Sequence, residues 1–365
     1  MTNYLLAGGG TAGHVNPLLA VADQIRAEEP GAKILALGTA EGLEARLVPE
    51  RGYELAIVEK LPFPRRPGRY AATFPLRLNR AVRQVKALLR QHDIEVVIGF
   101  GGYASAPAYL AARSLGVPVV VHEANALPGF ANKLGARFAA INAVAFGNTK
   151  LRDAIHVGMP LRAEIADLAA TELDSAERDL IRSSAREYFG LDQSSSVLLV
   201  TGGSLGAKRI NDAVVAAKPL LYAAGIQVLH MVGGRSDLEP VTEPGYVRIA
   251  YCDRMDLAIA AANFAVSRAG ASTVCEFAAV GLPAVFVPYP VGNGEQRFNV
   301  EALVAAEGGL VVEDAKFDAT WIGQTLIPLV SNTKQVAAMA RKSRATGIVD
   351  ASARLVRLAK GVLRR

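Results

Sequence analysis

The sequence predicts an α/β protein made of two doubly wound, parallel-sheet domains. Three observations carry that prediction. Short branched-residue runs alternate with helical patterns almost from end to end, the rhythm breaks once near the middle, and each half opens with a strand running into a glycine cluster. In the first half the strand candidates are 3–7, 33–37, 54–58, 95–99, 117–122 and 143–146, with helical stretches at 16–28, 75–91, 105–115 and 129–138. Residues 163–195 are polar and charged, without a buried-strand pattern. The alternation then restarts at 197–201, 226–232, 246–250, 263–267, 283–287 and 310–312. This gives domains over 1–160 and 161–340, expected to face each other across a cleft. The basic tail, helical in pattern from 334, could pack on either domain, and 341–365 is assigned back to the first.

Composition bounds the chemistry. The chain has 365 residues, long enough for two cores, and is 51% hydrophobic, which argues against disorder. Its two cysteines, Cys252 and Cys275, cannot form a disulfide framework, so a reducing compartment is expected. No basic segment followed by an apolar stretch opens the chain, and no apolar run approaches the ~18 residues of a membrane span. The net charge of +6 is concentrated: between Lys60 and His92 stand nine Lys/Arg and no acid.

The two glycine clusters are GGGTAGHVN after strand 3–7 and GGSLGAKRIN after strand 197–201. Glycines let backbone approach a ligand, and the following helix offers unpaired N–H groups at its positive end. Gly8, Gly10 and Gly13 also satisfy the G-x-G-x-x-G spacing of dinucleotide-binding proteins. That reading needs an acid closing the second strand to hold a ribose. The strand closes instead on Gly38 and Thr39, with Glu41 and Glu44 arriving later, and nothing suggests a hydride-handling site. Two such loops at equivalent places point to anions.

The richest stretch is 267–299, SRAGASTVCEFAAVGLPAVFVPYPVGNGEQRFN. Small residues Gly270, Ala271 and Ser272 open a helix that stops at Gly281-Leu282-Pro283. They leave room for a diphosphate against the helix tip. Glu276, four residues after Ser272, lies on the same face about 6 Å further along, where a carboxylate would grip ribose hydroxyls. Glu295 and Gln296 follow the next strand and could bind sugar hydroxyls.

These residues, with GGGTAGHVNP, GFGGYASAPA, HEANALPGFAN, GMPLR and TGGSLGAKRIN, closely resemble the MurG group of inverting glycosyltransferases, family 28. The resemblance spans nearly the whole chain in order. It implies a GT-B fold and transfer of N-acetylglucosamine from UDP-N-acetylglucosamine to undecaprenyl-pyrophosphoryl-N-acetylmuramoyl-pentapeptide (lipid I), forming lipid II for peptidoglycan. Thr11, Ala12 and Gly13 match the loop meeting donor sugar and acceptor diphosphate. Asn125 matches a donor-sugar contact, Arg162 a diphosphate contact, Ser204 the second-loop contact, and Cys252 a position whose backbone meets uracil. Ala271, Ser272, Thr273, Val274, Cys275 and Glu276 match the diphosphate and ribose segment, and Gln296 a sugar contact. Three residues depart from the pattern: Ala12 stands for a glycine, and Ala124 and Leu205 for glutamines. Any contact at Leu205 must therefore come from backbone.

The implied displacement at the anomeric carbon requires a base for the acceptor hydroxyl and stabilisation of departing UDP. No Asp-x-Asp triplet is present, so no metal and no cofactor are expected; the helix end at 270–273 and Arg162 would supply fixed electrostatic stabilisation. His14 is the leading base, at a helix N-terminus that should keep its ring neutral, and Glu123 the rival. The alternative for His14 is that it positions diphosphate or caps the helix.

The 60–92 segment interleaves Arg77, Arg80 and Arg83 with Phe74 and Leu78. It carries none of the nucleic-acid recognition motifs, so no nucleic-acid partner is expected; a solvated helix face is the plain alternative. A peripheral contact with anionic lipid at the cytoplasmic face of the plasma membrane suits it better, with Tyr103 assigned to the acceptor side. Competing functions are another GT-B enzyme using UDP-N-acetylglucosamine, such as a 2-epimerase, and a non-catalytic nucleotide-sugar-binding subunit.

Overall fold

The computed structural model describes residues 1–64, 66–203, 205–291 and 294–363. The chain divides into two compact units, Met1–Arg162 with Asp350–Arg365, and Ala163–Val349. In the first, β1 (Asn3–Gly8), β2 (Lys33–Gly38), β3 (Glu54–Ile57), β4 (Val96–Gly101), β5 (Val119–Glu123), β6 (Ile141–Val144) and β7 (Ala154–His156) form a sheet ordered β3-β2-β1-β4-β5-β6-β7 among the described residues. Every pairing is parallel. A parallel sheet must be covered on both faces, which is why Leu5, Val97 and Val121 pack one way while Leu6, Ile98 and Val120 pack the other.

The second unit holds β8 (Val197–Thr201), β9 (Gln227–Met231), β10 (Val241–Glu243), β11 (Tyr246–Ile249), β12 (Phe264–Ser267), β13 (Ala284–Phe286) and β14 (Gly309–Val311). Their order is β10-β11-β9-β8-β12-β13-β14, parallel except for the β10–β11 pair. In both sheets the strand order reverses beside the first strand, between β1 and β4 and between β8 and β12. Ligands of open parallel sheets collect at that reversal, beyond the carboxyl ends.

The 163–195 segment folds as two helices, Ala163–Ala170 and Ala176–Phe189, and the basic tail as Thr333–Thr346 and Ala351–Leu363. The last helix belongs to the first unit. Leu355, Val356 and Ala359 enter its core beside Tyr4 and Ile25, and Lys360 pairs with Glu28 and Glu29 at 2.7 and 2.8 Å.

Two buried histidines brace the sheets in neutral form. His122 on β5 donates through Nε2 to Gly158 O at 2.9 Å, and burial lowers its pKa to about 4. His230 on β9 donates through Nε2 to Asn211 Oδ1 and accepts from the Tyr246 hydroxyl through Nδ1. Burial, then the Arg248 charge, lowers its pKa to about 3. An unfolded histidine titrates near 6.5. Both folded values lie below that, so the unfolded chain binds more protons across the interval, and stability is present above about pH 6.5 and lost as pH falls. Denaturant titrations at pH 7 and pH 5 are expected to show each unit losing about 2 kcal/mol from its histidine. Equal stability at the two pH values would contradict the assignment.

Candidate functional site

In the first unit the loop after β1 leads into the helix Ala12–Glu28. It is held by the loop after β4, backbone against backbone: a Cβ at Gly102, whose φ is +81°, would stand 2.4 Å from Gly9 O. Any side chain there would push the loops apart. Ser105 locks the same corner, accepting from Gly101 N at 3.0 Å and reaching Ala7 O and Gly101 O at 2.9 and 2.7 Å. Thr11 is exposed at the helix cap without a side-chain capping bond, and Ala12 and Gly13 are half-exposed behind it.

His14 sits in the first turn, with Nδ1 3.1 Å from Gly9 O and 3.5 Å from Thr11 Oγ1. A carbonyl only accepts, so that geometry places the proton on Nδ1 and the lone pair on Nε2. Nε2 lies over Gly101, where a Cβ would stand 3.1 Å away. Tyr103 is partly exposed beside Gly10, with Lys60 Nζ 5.5 Å from its ring centroid.

Glu123 closes β5 and is buried. Its carboxylate accepts from Asn125 N at 2.9 Å, Gly129 N at 3.0 Å and Asn132 Nδ2 at 2.9 Å. Asn132 in turn donates to His122 O and accepts from the Tyr109 hydroxyl. Those oxygens hold the 124–132 turn, and with it Asn125, whose carbonyl accepts from Thr149 Oγ1. Glu123 thus spends both oxygens on the turn, whereas His14 uses Nδ1 alone on backbone. Asn132, buried in this network, was legible only as one more residue of the HEANALPGFAN stretch. Glu44, weighed for a ribose, is fully buried and accepts from Gly10 N–H, so it is turned inward. Arg162, half-buried, ends the first of the unit's two chain segments.

The second unit also packs its first glycine loop backbone against backbone, here on the loop after β9. Gly206 and Gly233 both have positive φ; a Cβ at Gly206 would stand 2.2 Å from Val232 O, and one at Gly233 2.1 Å from Gly206 N. Leu205 is exposed, and Ser204 lies outside the described residues. Cys252, half-buried, follows β11.

After β12 the loop 268–270 is pinned from several sides. Arg268 donates to Val287 O at 3.0 Å and pairs with Asp314. Gln296 Oε1 accepts from Ala269 N and Tyr289 N, at 3.2 and 2.9 Å, and Asn299 Nδ2 donates to Ala269 O. Both bonds fall on Oε1, which fixes the orientation of the Gln296 amide.

The helix Ala271–Val280 that follows has Gly270 at its cap and no side-chain capping bond. Ser272 Oγ is buried without a hydrogen-bond partner, an uncommon state for a hydroxyl. Val274 is buried and Glu276 is 7% exposed on the same helix, while Ala271 is buried beside the cap. Thr273 is half-exposed. Burial, then the Glu276 charge, pushes the Cys275 thiol up, so it is no nucleophile. At the other end Arg178 donates to Val280 O at 3.0 Å and Arg344 to Ala279 O, satisfying terminal carbonyls and balancing the helix dipole.

The basic segment forms the helix Arg69–Gln91. Arg80 and Arg83 are exposed, and Leu76 is 72% exposed. Arg77 differs from them: it is engaged by Glu59, just outside the segment, and lies over the Tyr70 ring. Phe74 and Leu78 are half-buried, Phe74 edge-on to Phe63, whose ring lies 4.0 Å from that of Phe130.

Residues 4–144 match the glycosyltransferase family 28 N-terminal domain, and residues 197–355 its C-terminal domain. The chain is 55% identical, over 98% of its own length and 98% of the relative's, to the UDP-N-acetylglucosamine--N-acetylmuramyl-(pentapeptide) pyrophosphoryl-undecaprenol N-acetylglucosamine transferase of Leifsonia xyli. It is 48% identical to the enzyme of the same name from Streptomyces coelicolor, covering 97% of this chain and 96% of that one. The crystal structure of Acinetobacter baumannii MurG superposes with a TM-score of 0.78 at 26% identity, covering 99% of this chain and 100% of that one. A UDP-GlcNAc 2-epimerase from Neisseria meningitidis reaches 0.68 at 13% identity, covering all of both chains, which is a likeness of fold alone. Two Rossmann-like sheets with glycine loops at both reversals, matched domain by domain and along the whole length, place the chain in the MurG group of glycosyltransferase family 28.

Proposed function

We propose that the chain transfers N-acetylglucosamine from UDP-N-acetylglucosamine to the C4 hydroxyl of the muramoyl sugar of lipid I, with inversion at the anomeric carbon. The observation that carries the donor assignment is the start of the Ala271–Val280 helix, where backbone N–H groups without a side-chain cap converge with the unpartnered hydroxyl of Ser272. A diphosphate satisfies both, and the helix dipole favours it. Glu276 on the same helix grips the ribose, Gln296 donates its amide to the sugar, and Cys252 meets the base through its backbone. As the anomeric bond to UDP breaks, the growing charge on the leaving diphosphate meets these fixed donors. His14 Nε2 takes the proton of the attacking hydroxyl, and the 11–13 turn and Asn125 position the sugars.

Purified protein given UDP-N-acetylglucosamine and a short-chain lipid I analogue in EDTA is expected to form the disaccharide. Ser272→Ala should change folding stability by less than about 0.5 kcal/mol, since no protein partner is lost, and raise the donor KM about tenfold. His14→Ala should lower kcat by at least about a hundredfold. Near-normal kcat in His14→Ala would remove it as base, and failure of turnover in EDTA would remove the metal-free mechanism.

We further propose that the protein works peripherally at an anionic membrane surface. Among the described residues no helix is long and apolar enough to cross a membrane. Exposed Arg80, Arg83 and Leu76 share one helix, near the partly exposed Phe63, Phe74 and Phe130 cluster. Since Arg77 is held by Glu59, the informative reversals are Arg80→Glu and Arg83→Glu. Together they should weaken binding to anionic vesicles at least about tenfold without affecting neutral ones. Unchanged vesicle binding would refute this.

A further inference from the structure

Glu44 lies fully buried between the loops after β1 and β2, in a space that glycines leave open. Cβ atoms at Gly9, Gly38 and Gly42 would stand 2.1, 2.3 and 2.0 Å from its side chain. Its Oε1 accepts from Thr39 N at 2.8 Å and Thr39 Oγ1 at 2.9 Å, and its Oε2 accepts from Gly10 N at 2.8 Å. Two of these donors are backbone N–H groups, one on each oxygen, an arrangement that suits a carboxylate accepting on both sides.

The Gly10 N–H and the Gly9 C=O are the two ends of one peptide group. Glu44 holds the first, and His14 Nδ1 faces the second at 3.1 Å. A charged acceptor at the N–H end polarises the peptide and strengthens the carbonyl as acceptor, because linked hydrogen bonds reinforce one another in a low-dielectric setting. We propose that Glu44 is a positioning residue for His14, acting through the 9–10 peptide to fix the Nδ1–H tautomer and leave the Nε2 lone pair for the acceptor hydroxyl. The arrangement does the work of a carboxylate paired directly with an imidazole, with a peptide group interposed. It also gives a reason for the glycine at position 9, since a side chain there would displace the carboxylate. This inference rests on the reading of His14 as the base.

Glu44→Gln is nearly isosteric and selective. The single amide oxygen can serve both Thr39 donors, which turns the amide nitrogen toward Gly10 N–H and breaks the link there. Expected is a tenfold to hundredfold fall in kcat at unchanged donor KM, and no further fall when the change is made in His14→Ala. A merely structural role would cost the same factor in both backgrounds and would overturn the proposal, as would full kcat in Glu44→Gln. Histidine 15N spectra of the wild-type protein provide a readout that needs no variant to fold. The proposal expects His14 as the Nδ1–H tautomer, and an Nε2–H tautomer would overturn it. Should His14→Ala keep normal kcat, the base assignment falls, while spectra still decide the link. A mixture of tautomers in Glu44→Gln supports it, and an unchanged spectrum overturns it.

Discussion

Backbone packed directly on backbone, in the loop that leaves the first strand of each sheet, is the constraint on which the site depends. In the first unit Gly102 lies on Gly9; in the second, Gly206 and Gly233 lie on one another. Side chains would hold these loops apart. Without them, the loops close tightly enough to aim helix starts beyond the carboxyl edge of the sheet, where N–H groups lack partners within the fold. The anion binding proposed here therefore rests on main chain, and the side chains refine it.

The refinements differ between units in a way that matches the chemistry each is assigned. The first unit adds an imidazole, oriented by a carbonyl, with buried carboxylates at Glu44 and Glu123 bracing the surrounding turns. The second adds a hydroxyl without a partner and a buried carboxylate on one helix, whose far end two arginines cap. Proton transfer calls for a titratable group with a defined tautomer, while a leaving diphosphate calls for fixed donors. On the proposed mechanism, each unit carries the kind of group its half of the reaction needs.

Much of this was legible in the sequence. The strand pattern marked most of both sheets because buried parallel strands are continuous apolar runs, and β8 falls on 197–201 as expected. β7 and β10, three-residue pieces exposed over most of their length, carry no such run and went unmarked. The helices expected at 16–28 and 75–91 begin at Ala12 and Arg69, with Pro17 and Pro75 inside them; a proline early in a helical pattern resembles a start. The polar 163–195 stretch gave no sign that Arg178 would reach the end of a helix a hundred residues later. Glu44 was visible as an acid near the second strand, but its partner at Gly10 exists only once β1 and β2 lie side by side. Residues whose role is to touch a ligand sit in local patterns, whereas residues that hold those in place are joined by the fold.

On the proposed mechanism, main-chain donors and no bound cation neutralise the diphosphate as the nucleotide departs. A crystal structure with UDP tests it most directly. Phosphate oxygens are expected within hydrogen-bonding distance of the N–H groups opening the 271–280 helix and of Ser272 Oγ, with ribose hydroxyls on Glu276. A diphosphate bound away from that helix start, or bridged to the protein by a metal ion, would contradict it.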